Sequence, residues 1–263
     1  MNNKKNIPRL SLALFAFTCL TAPFLSAQVA FTGATHTENF DALPVYTGTG
    51  TATLSFNNNS TITGWYSSVG TGSGGRSSAG AEAASGALYN FGESGSADRA
   101  LSLHTRDGYA ANTAFLGMQL LNDSGATIDA VTLSFDVEQW RRNANAVTWD
   151  FAYLITAEAT YQLTESGYTE NAAGNAASSL SGGAAGLNGN SNSTSVSFTM
   201  TGLNWQAGEY LWLRWESNQE LGSSAAIALD NVSVSTIPEP STAGVLIGTG
   251  ALLIGALRRG RRA

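Results

Sequence analysis

Between residues 28 and 237 the chain alternates single hydrophobic and polar positions. Val131, Leu133, Phe135 and Val137 are interleaved with Thr132, Ser134, Asp136 and Glu138. Trp149, Phe151, Tyr153 and Ile155 alternate with Asp150 and Ala152. The same rhythm runs through Val196, Phe198 and Met200, and through Leu211, Leu213 and Trp215. A period of two is that of a strand with one buried face. Fainter versions predict strands over Ala52–Phe56, Ile62–Ser67, Ala87–Phe91, Ala100–His104, Thr113–Leu121 and Ala226–Ser235. These segments are rich in Thr, Val, Phe, Tyr and Trp, which suit a pleated half-buried surface. No stretch shows the three-and-four spacing of an amphipathic helix. One-sided alternation predicts antiparallel sheets, and two of them packed face to face give an all-β, jelly-roll-like sandwich.

The last strand changes phase. Ile227 and Leu229 share one parity, Val232 and Val234 the other. A bulge at Asp230-Asn231 predicts that all four point inward. Gly70–Gly86 and Asn171–Ser195 are dominated by Gly, Ser, Ala and Asn. Too poor in apolar surface to order themselves, they are expected as long mobile loops at one end of the sandwich.

The two ends carry a different signal. Lys4, Lys5 and Arg9 precede an apolar run from Leu10 to Leu25 and a Leu25-Ser26-Ala27 site. This predicts a secretory signal peptide over 1–27, cleaved after Ala27. The sole Cys, Cys19, lies within it, and Ala16-Phe17-Thr18 fits a lipoprotein site poorly. At the other end, Pro238-Glu239-Pro240 is followed by 17 uncharged residues, Ser241–Leu257, and by Arg258, Arg259, Arg261 and Arg262. Seventeen residues suffice for a short spanning helix over 241–257, and the arginines act as a stop-transfer cluster held on the cytoplasmic side. A plain tail anchor has this form too. The order of the three parts closely resembles the PEP-CTERM sorting signal of Gram-negative bacteria. That resemblance implies the general secretion machinery and a membrane-embedded exosortase as partners. It further implies transient inner-membrane anchoring, then delivery to the cell surface or extracellular matrix in association with exopolysaccharide and biofilm. The expected organisation is a signal peptide at 1–27, a β-sandwich at 28–235 and a sorting signal at 236–263.

The sandwich segment is similar to a recurrent domain type found ahead of such tails. The likeness runs through Glu38-Asn39-Phe40-Asp41-Ala42-Leu43-Pro44, Gly95-Ser96-Ala97-Asp98-Arg99-Ala100-Leu101 and Glu138-Gln139-Trp140-Arg141. It continues through Leu211-Trp212-Leu213-Arg214-Trp215 and Ala228-Leu229-Asp230-Asn231-Val232-Ser233-Val234. It speaks to fold rather than activity.

Charge narrows the function. Residues 28–240 hold 6 Arg, no Lys and 19 acids. Such a domain has no field to hold phosphates, which excludes a nucleic-acid groove. With one Cys in the chain, disulfide frameworks, thiol nucleophiles and Cys-based zinc sites are excluded as well. Arg141, Arg142 and Arg214 are expected to pair with Glu138, Asp136 or Glu216.

Three candidate chemistries remain. Asp136 and Glu138 fall on one strand face about 7 Å apart, a spacing glycoside cleavage uses. A third acid, at Ser134, is missing from the longer acidic pattern of sandwich glucanases, and a solvated strand face has the same appearance. No nucleophile elbow accompanies His36 or His104. Glu38, Asp41 and Asp230 offer hard oxygen ligands where first and last strands meet, a candidate structural Ca²⁺ site. Of the six Trp, Trp149 and Trp215 belong to apolar faces. Trp212 with Tyr210, together with Trp140 and Trp65, are candidate glycan-stacking positions, although ordinary packing explains the same residues. The expectation is a non-enzymatic structural or adhesive protein acting on exopolysaccharide. The alternatives are a polysaccharide-active enzyme using Asp136 and Glu138, and a passive matrix filler.

Overall fold

The computed structural model describes residues 28–79, 87–104, 113–218 and 224–237. The predicted signal peptide and the tail from Pro238 onward, with its sorting motif, spanning helix and arginines, lie outside the described residues. Among those described, no helix is long and apolar enough to cross a membrane. Helical structure there amounts to two short 3-10 turns, Ala172–Gly174 and Gly189–Ser191.

The strands in chain order are β1 (Val29–Phe31), β2 (His36–Glu38), β3 (Thr51–Phe56), β4 (Trp65–Ser67), β5 (Gly72–Ser78), β6 (Ala87–Phe91), β7 (Ala100–His104) and β8 (Thr113–Asn122). Then follow β9 (Ile128–Arg142), β10 (Thr148–Thr156), β11 (Thr169–Glu170), β12 (Ala176–Ala177), β13 (Ala185–Gly186), β14 (Ser193–Trp205), β15 (Tyr210–Asn218) and β16 (Ala226–Thr236). A seven-stranded sheet, sheet A, runs β1-β8-β15-β10-β11, with β4 also on β8 and β12 on β10. A nine-stranded sheet, sheet B, runs β13-β9-β16-β7-β6-β5-β3, with β14 also on β9 and β2 on β16. The sandwich is therefore the expected one. Its sheets are mixed rather than purely antiparallel, because β1 joins β8 and β5 joins β6 in parallel.

The inward rows of both sheets merge into one core. Val131, Leu133, Phe135 and Val137 of β9 share one cluster with Leu211, Leu213 and Trp215 of β15 and with Trp149 and Phe151 of β10, the neighbour of β15 in sheet A. Trp65 stacks on Trp215 at 6.2 Å and takes the edge of Phe40 at 4.7 Å. Phe40 pays for this seat with a φ of 56°, a left-handed backbone that a bulky residue adopts only when packing holds it there. The expected bulge is present. The register of β16 against β9 shifts between Asp230 and Ser233, Asn231 has a φ of 49°, and Ile227, Leu229, Val232 and Val234 all reach the core.

The low-complexity stretches are ordered where they are described, against expectation. Gly72–Ser78 is β5, paired on both sides; residues 80–86 lie outside the described set. Asn171–Ser195 is pinned by hydrogen bonds, with Ala176 alone of its side chains in the main core. Ser178 N donates to Val147 O, Gly182 N to Asn143 O and Leu187 N to Trp140 O. The buried Gln139 carboxamide accepts from Ser179 N and Leu180 N at 2.9 and 2.8 Å. Amide-rich sequence has few apolar groups but abundant donors and acceptors, and neighbouring strands supply their partners.

Candidate functional site: an acidic focus beside a polar cleft

On the outer face of sheet B the strands carry aromatic side chains instead of solvated ones. Tyr89 and Phe91 of β6 stack at 5.1 Å, and Phe91 stacks on Trp140 of β9 at 6.0 Å. Ala87, Ala100, Ala226 and Ala228 complete the cluster. The 3-10 turn Gly189–Ser191 closes over this ladder. A Cβ at Gly189 would stand 2.3 Å from the Trp140 ring, so only glycine permits the approach.

The segment leading into that turn, Gly186–Asn188, faces Glu93 and Ser94 across a cleft of about 340 Å³, lined also by Ala79 and Trp140. Its walls are tied together. Asn188 Nδ2 donates to Glu93 Oε1 at 2.6 Å, and Asn190 Nδ2 donates to Asp98 Oδ2.

Beneath and beside the cleft, four segments bring carboxylates together. Asp136 accepts from Ser195 Oγ and from Asn231 Nδ2. Asp230 accepts from the Asn231 backbone N–H at 2.7 Å and from Asn231 Nδ2 at 3.0 Å. The left-handed bulge residue thus clamps two acids with one amide. Glu138 accepts from Trp140 Nε1 at 2.9 Å, and Asp41 from the Arg99 backbone N–H at 3.2 Å. The Arg99 guanidinium is buried nearby but is engaged by Asn90 and by the Glu93 carbonyl. The cluster is consequently short of positive charge. Burial pushes Asp230 up to about 8, and the charges of Glu138, Asp98 and Asp41 push the same way. Burial likewise takes Glu138 up to about 7, opposed by the Trp140 hydrogen bond and reinforced by Asp98 and Asp136. Asp98 is raised by burial and by Asp41, against the pull of Arg99.

The predicted site residues are redistributed. Glu38 spends Oε1 on the Phe40 N–H within its own loop. Among the described residues no three acidic, His or Cys side chains converge closely enough to hold a metal ion. The expected Ca²⁺ triad of Glu38, Asp41 and Asp230 is therefore not gathered, although Asp41 and Asp230 do sense each other. Trp65 is a core residue. Trp212 has the outward parity expected of it, yet it is 0% exposed. The 157–168 segment covers it, seating Leu163 on Gly117, where a Cβ would come within 2.5 Å of the leucine. Tyr210 is half-buried in the same cluster. Trp140 is 1% exposed, though its side of the cluster contributes to the lining of the cleft. Large rings fail as exposed platforms because each outer face is roofed by its own connecting segment. Tyr161, 38% exposed against Tyr66 and Trp212, is the accessible aromatic that the pattern did not reveal. The pairing expected of the arginines holds at Arg214 and Glu216, 3.6 Å apart.

No protein family matches the chain, and no curated protein is similar to it in sequence. Solved structures share its outline at low overlap. The CBM22-1 xylan-binding domain of Paenibacillus barcinonensis Xyn10C is 10% identical with a TM-score of 0.37, covering 81% of this chain and 99% of that one. The K3 cleaved adhesin domain of Lys-gingipain from Porphyromonas gingivalis is 15% identical with a TM-score of 0.33, covering 53% and 75%. The enzymatically active domain of tailspike protein 4 from bacteriophage CBA120 is 10% identical with a TM-score of 0.35. There the overlap covers 67% of this chain but only 20% of the tailspike chain. Overlap of this order leaves function to be argued from the chain's own residues.

Proposed function

We propose that the chain is an exported surface or matrix protein whose jelly-roll-like sandwich binds polysaccharide without cleaving it. Its tail, with Pro238-Glu239-Pro240, would be an exosortase sorting signal that directs the domain to exopolysaccharide or biofilm. The cleft carries the binding part of this reading. Planar carboxylate and amide groups at Glu93 and Asn188, with the Ser94 hydroxyl, are the groups that hydrogen-bond adjacent sugar hydroxyls, and about 340 Å³ is room for a sugar unit or two. The rim is pre-formed, because Asn188 is already bonded to Glu93 on the opposite wall.

Binding is favoured over cleavage by the state of the two carboxylates. Glu138 is 4% exposed and bonded to an indole N–H, while Asp136 is held by Ser195 and Asn231. Both carboxylates are engaged by groups of the chain itself. One observation favours the enzymatic alternative: Glu138, raised to about 7, has the acidity of a general acid. Affinity electrophoresis in gels containing neutral and acidic exopolysaccharides separates the two. Retardation that weakens at least tenfold in Glu93→Ala and Asn188→Ala, with no reducing ends released, supports binding. Reducing ends that disappear in Glu138→Gln favour the hydrolase, and no retardation with any polymer removes the binding reading. For sorting, the intact mass of the chain from its host should place a new C-terminus near Pro240; a chain still carrying Arg262 points to a plain anchor.

A further inference from the structure

We infer that β14 is a self-association edge, through which two copies of this chain join their B sheets into one continuous sheet. A sheet edge exposes unpaired N–H and C=O groups, and natural edges are blunted by brevity, charge, Pro or a cover. Most free edges here are short: β1, β4, β11 and β12 have two or three residues each, and β3 has six. β14 has thirteen. It pairs with β9 along one side, and among the described residues no other element bonds the backbone of residues 194–203.

Nothing in its sequence guards it. Residues 193–205 contain no charge and no Pro, and the run from Ser193 to Thr201 is regular, the register shifting only beyond Thr201. Its outward row is Ser195, Ser197, Thr199 and Thr201, all exposed, and its inward row leaves Val196 and Phe198 only half-buried at the rim of the core. The occupant that fits is a second copy. Residues 28–240 carry 19 acids against 6 Arg, so like-charge repulsion between two copies is least along a strand without ionisable residues, and β14 is such a strand although Asp136 of β9 is bonded to its Ser195. A two-fold axis at Ser197 sets Val196 of one copy against Phe198 of the other, an aromatic and β-branched pair that sheets favour, and Ser195 against Thr199. The Thr132 and Thr199 hydroxyls, 3.1 Å apart across β9 and β14, already show such a contact within one copy.

The test uses the full chain, in density-matched detergent where the tail is retained. Antiparallel partners at the axis stand about 4.5–5.5 Å apart at Cα, within disulfide reach. Ser197→Cys should therefore form a covalent dimer on oxidation, whereas Thr53→Cys on the β3 edge should stay monomeric. In sedimentation equilibrium, Ser197→Lys should weaken the dimer at least tenfold, with a melting temperature equal to the wild type's at dilutions where both are monomeric. Raising salt should strengthen the wild-type dimer by screening the acidic surfaces. A wild-type chain that stays monomeric at about 100 μM, or a Ser197→Cys chain that cross-links no better than the Thr53→Cys control, would overturn the inference.

Discussion

The outer faces of the two sheets are built from similar residues and behave differently. On sheet A, Trp212, Tyr66 and Leu163 form a closed apolar cluster, and Arg214 lies between Phe115 and Tyr168, 4.6 and 3.8 Å from their ring centres. Its 157–168 cover is tied down by Gln119 Nε2 donating to Ala159 O and Arg214 Nη1 donating to Leu163 O. On sheet B the aromatic ladder ends at carboxylates, and its cover leaves a cleft. The indole of Trp140 donates to Glu138, whereas the indole N–H of Trp212 is buried without a partner. One face is finished as packing. The other keeps clustered carboxyl groups, uncompensated by cations, beside an opening.

Truncation should break both faces but only one of them informatively. Trp140→Ala and Trp212→Ala should each cost about 3–5 kcal/mol in chemical denaturation. Only the former should also abolish polymer retardation. The next effect is the pH dependence. The native state holds protons on Asp230 and Glu138 that the unfolded chain has released by neutral pH. Stability from these groups is full below their unfolded values near 4 and is lost as pH rises through about 7 and 8. His36, lowered by burial, opposes this only below its ordinary value of 6.5. Between pH 6.5 and 8.5 the melting temperature should therefore fall, at about 2–4 °C for each kcal/mol. Asp230→Asn should flatten that slope and raise the melting temperature at pH 8; an equally steep slope in the variant would place its origin elsewhere. Smaller still is the contrast between Trp140→Phe and Trp212→Phe. The first removes a donor to a buried carboxyl and should cost about 1 kcal/mol more than the second, which removes a donor that had no partner. Least of all, Glu216→Gln beside Arg214 should change stability by about 1 kcal/mol or less.

The long strands were legible because each has one wet face. β9, β10, β14, β15 and β16 fall where alternation puts them, and the parity break at Val232 located the bulge. β5 was not legible, since Gly72-Ser73-Gly74-Gly75-Arg76-Ser77-Ser78 has no apolar rhythm and is a strand only through its neighbours on both sides. Parallel pairing is a property of topology, invisible to a local pattern. Parity also told which side of β15 Trp212 occupies but not what lies above it. Of the site, Asp136, Glu138, Trp140, Asp41 and Asp230 were each singled out, for three unrelated chemistries. That they share one neighbourhood with Asp98, Glu93 and Asn188 depends on strand order and on a turn of Asn and Gly, which no spacing along the chain encodes.

Thr236, the last residue of β16, donates its hydroxyl to Gly33 O at 2.8 Å. The incoming and outgoing leads of the sandwich therefore leave from the same pole. Trp140 and its cleft lie level with Ala226, at the far end of an eleven-residue strand, about 30 Å away at the rise of a β-strand. Any leash fastened at that pole, from either lead, holds the opening outward like a hand at the end of an arm, free to meet material that never touches the point of attachment.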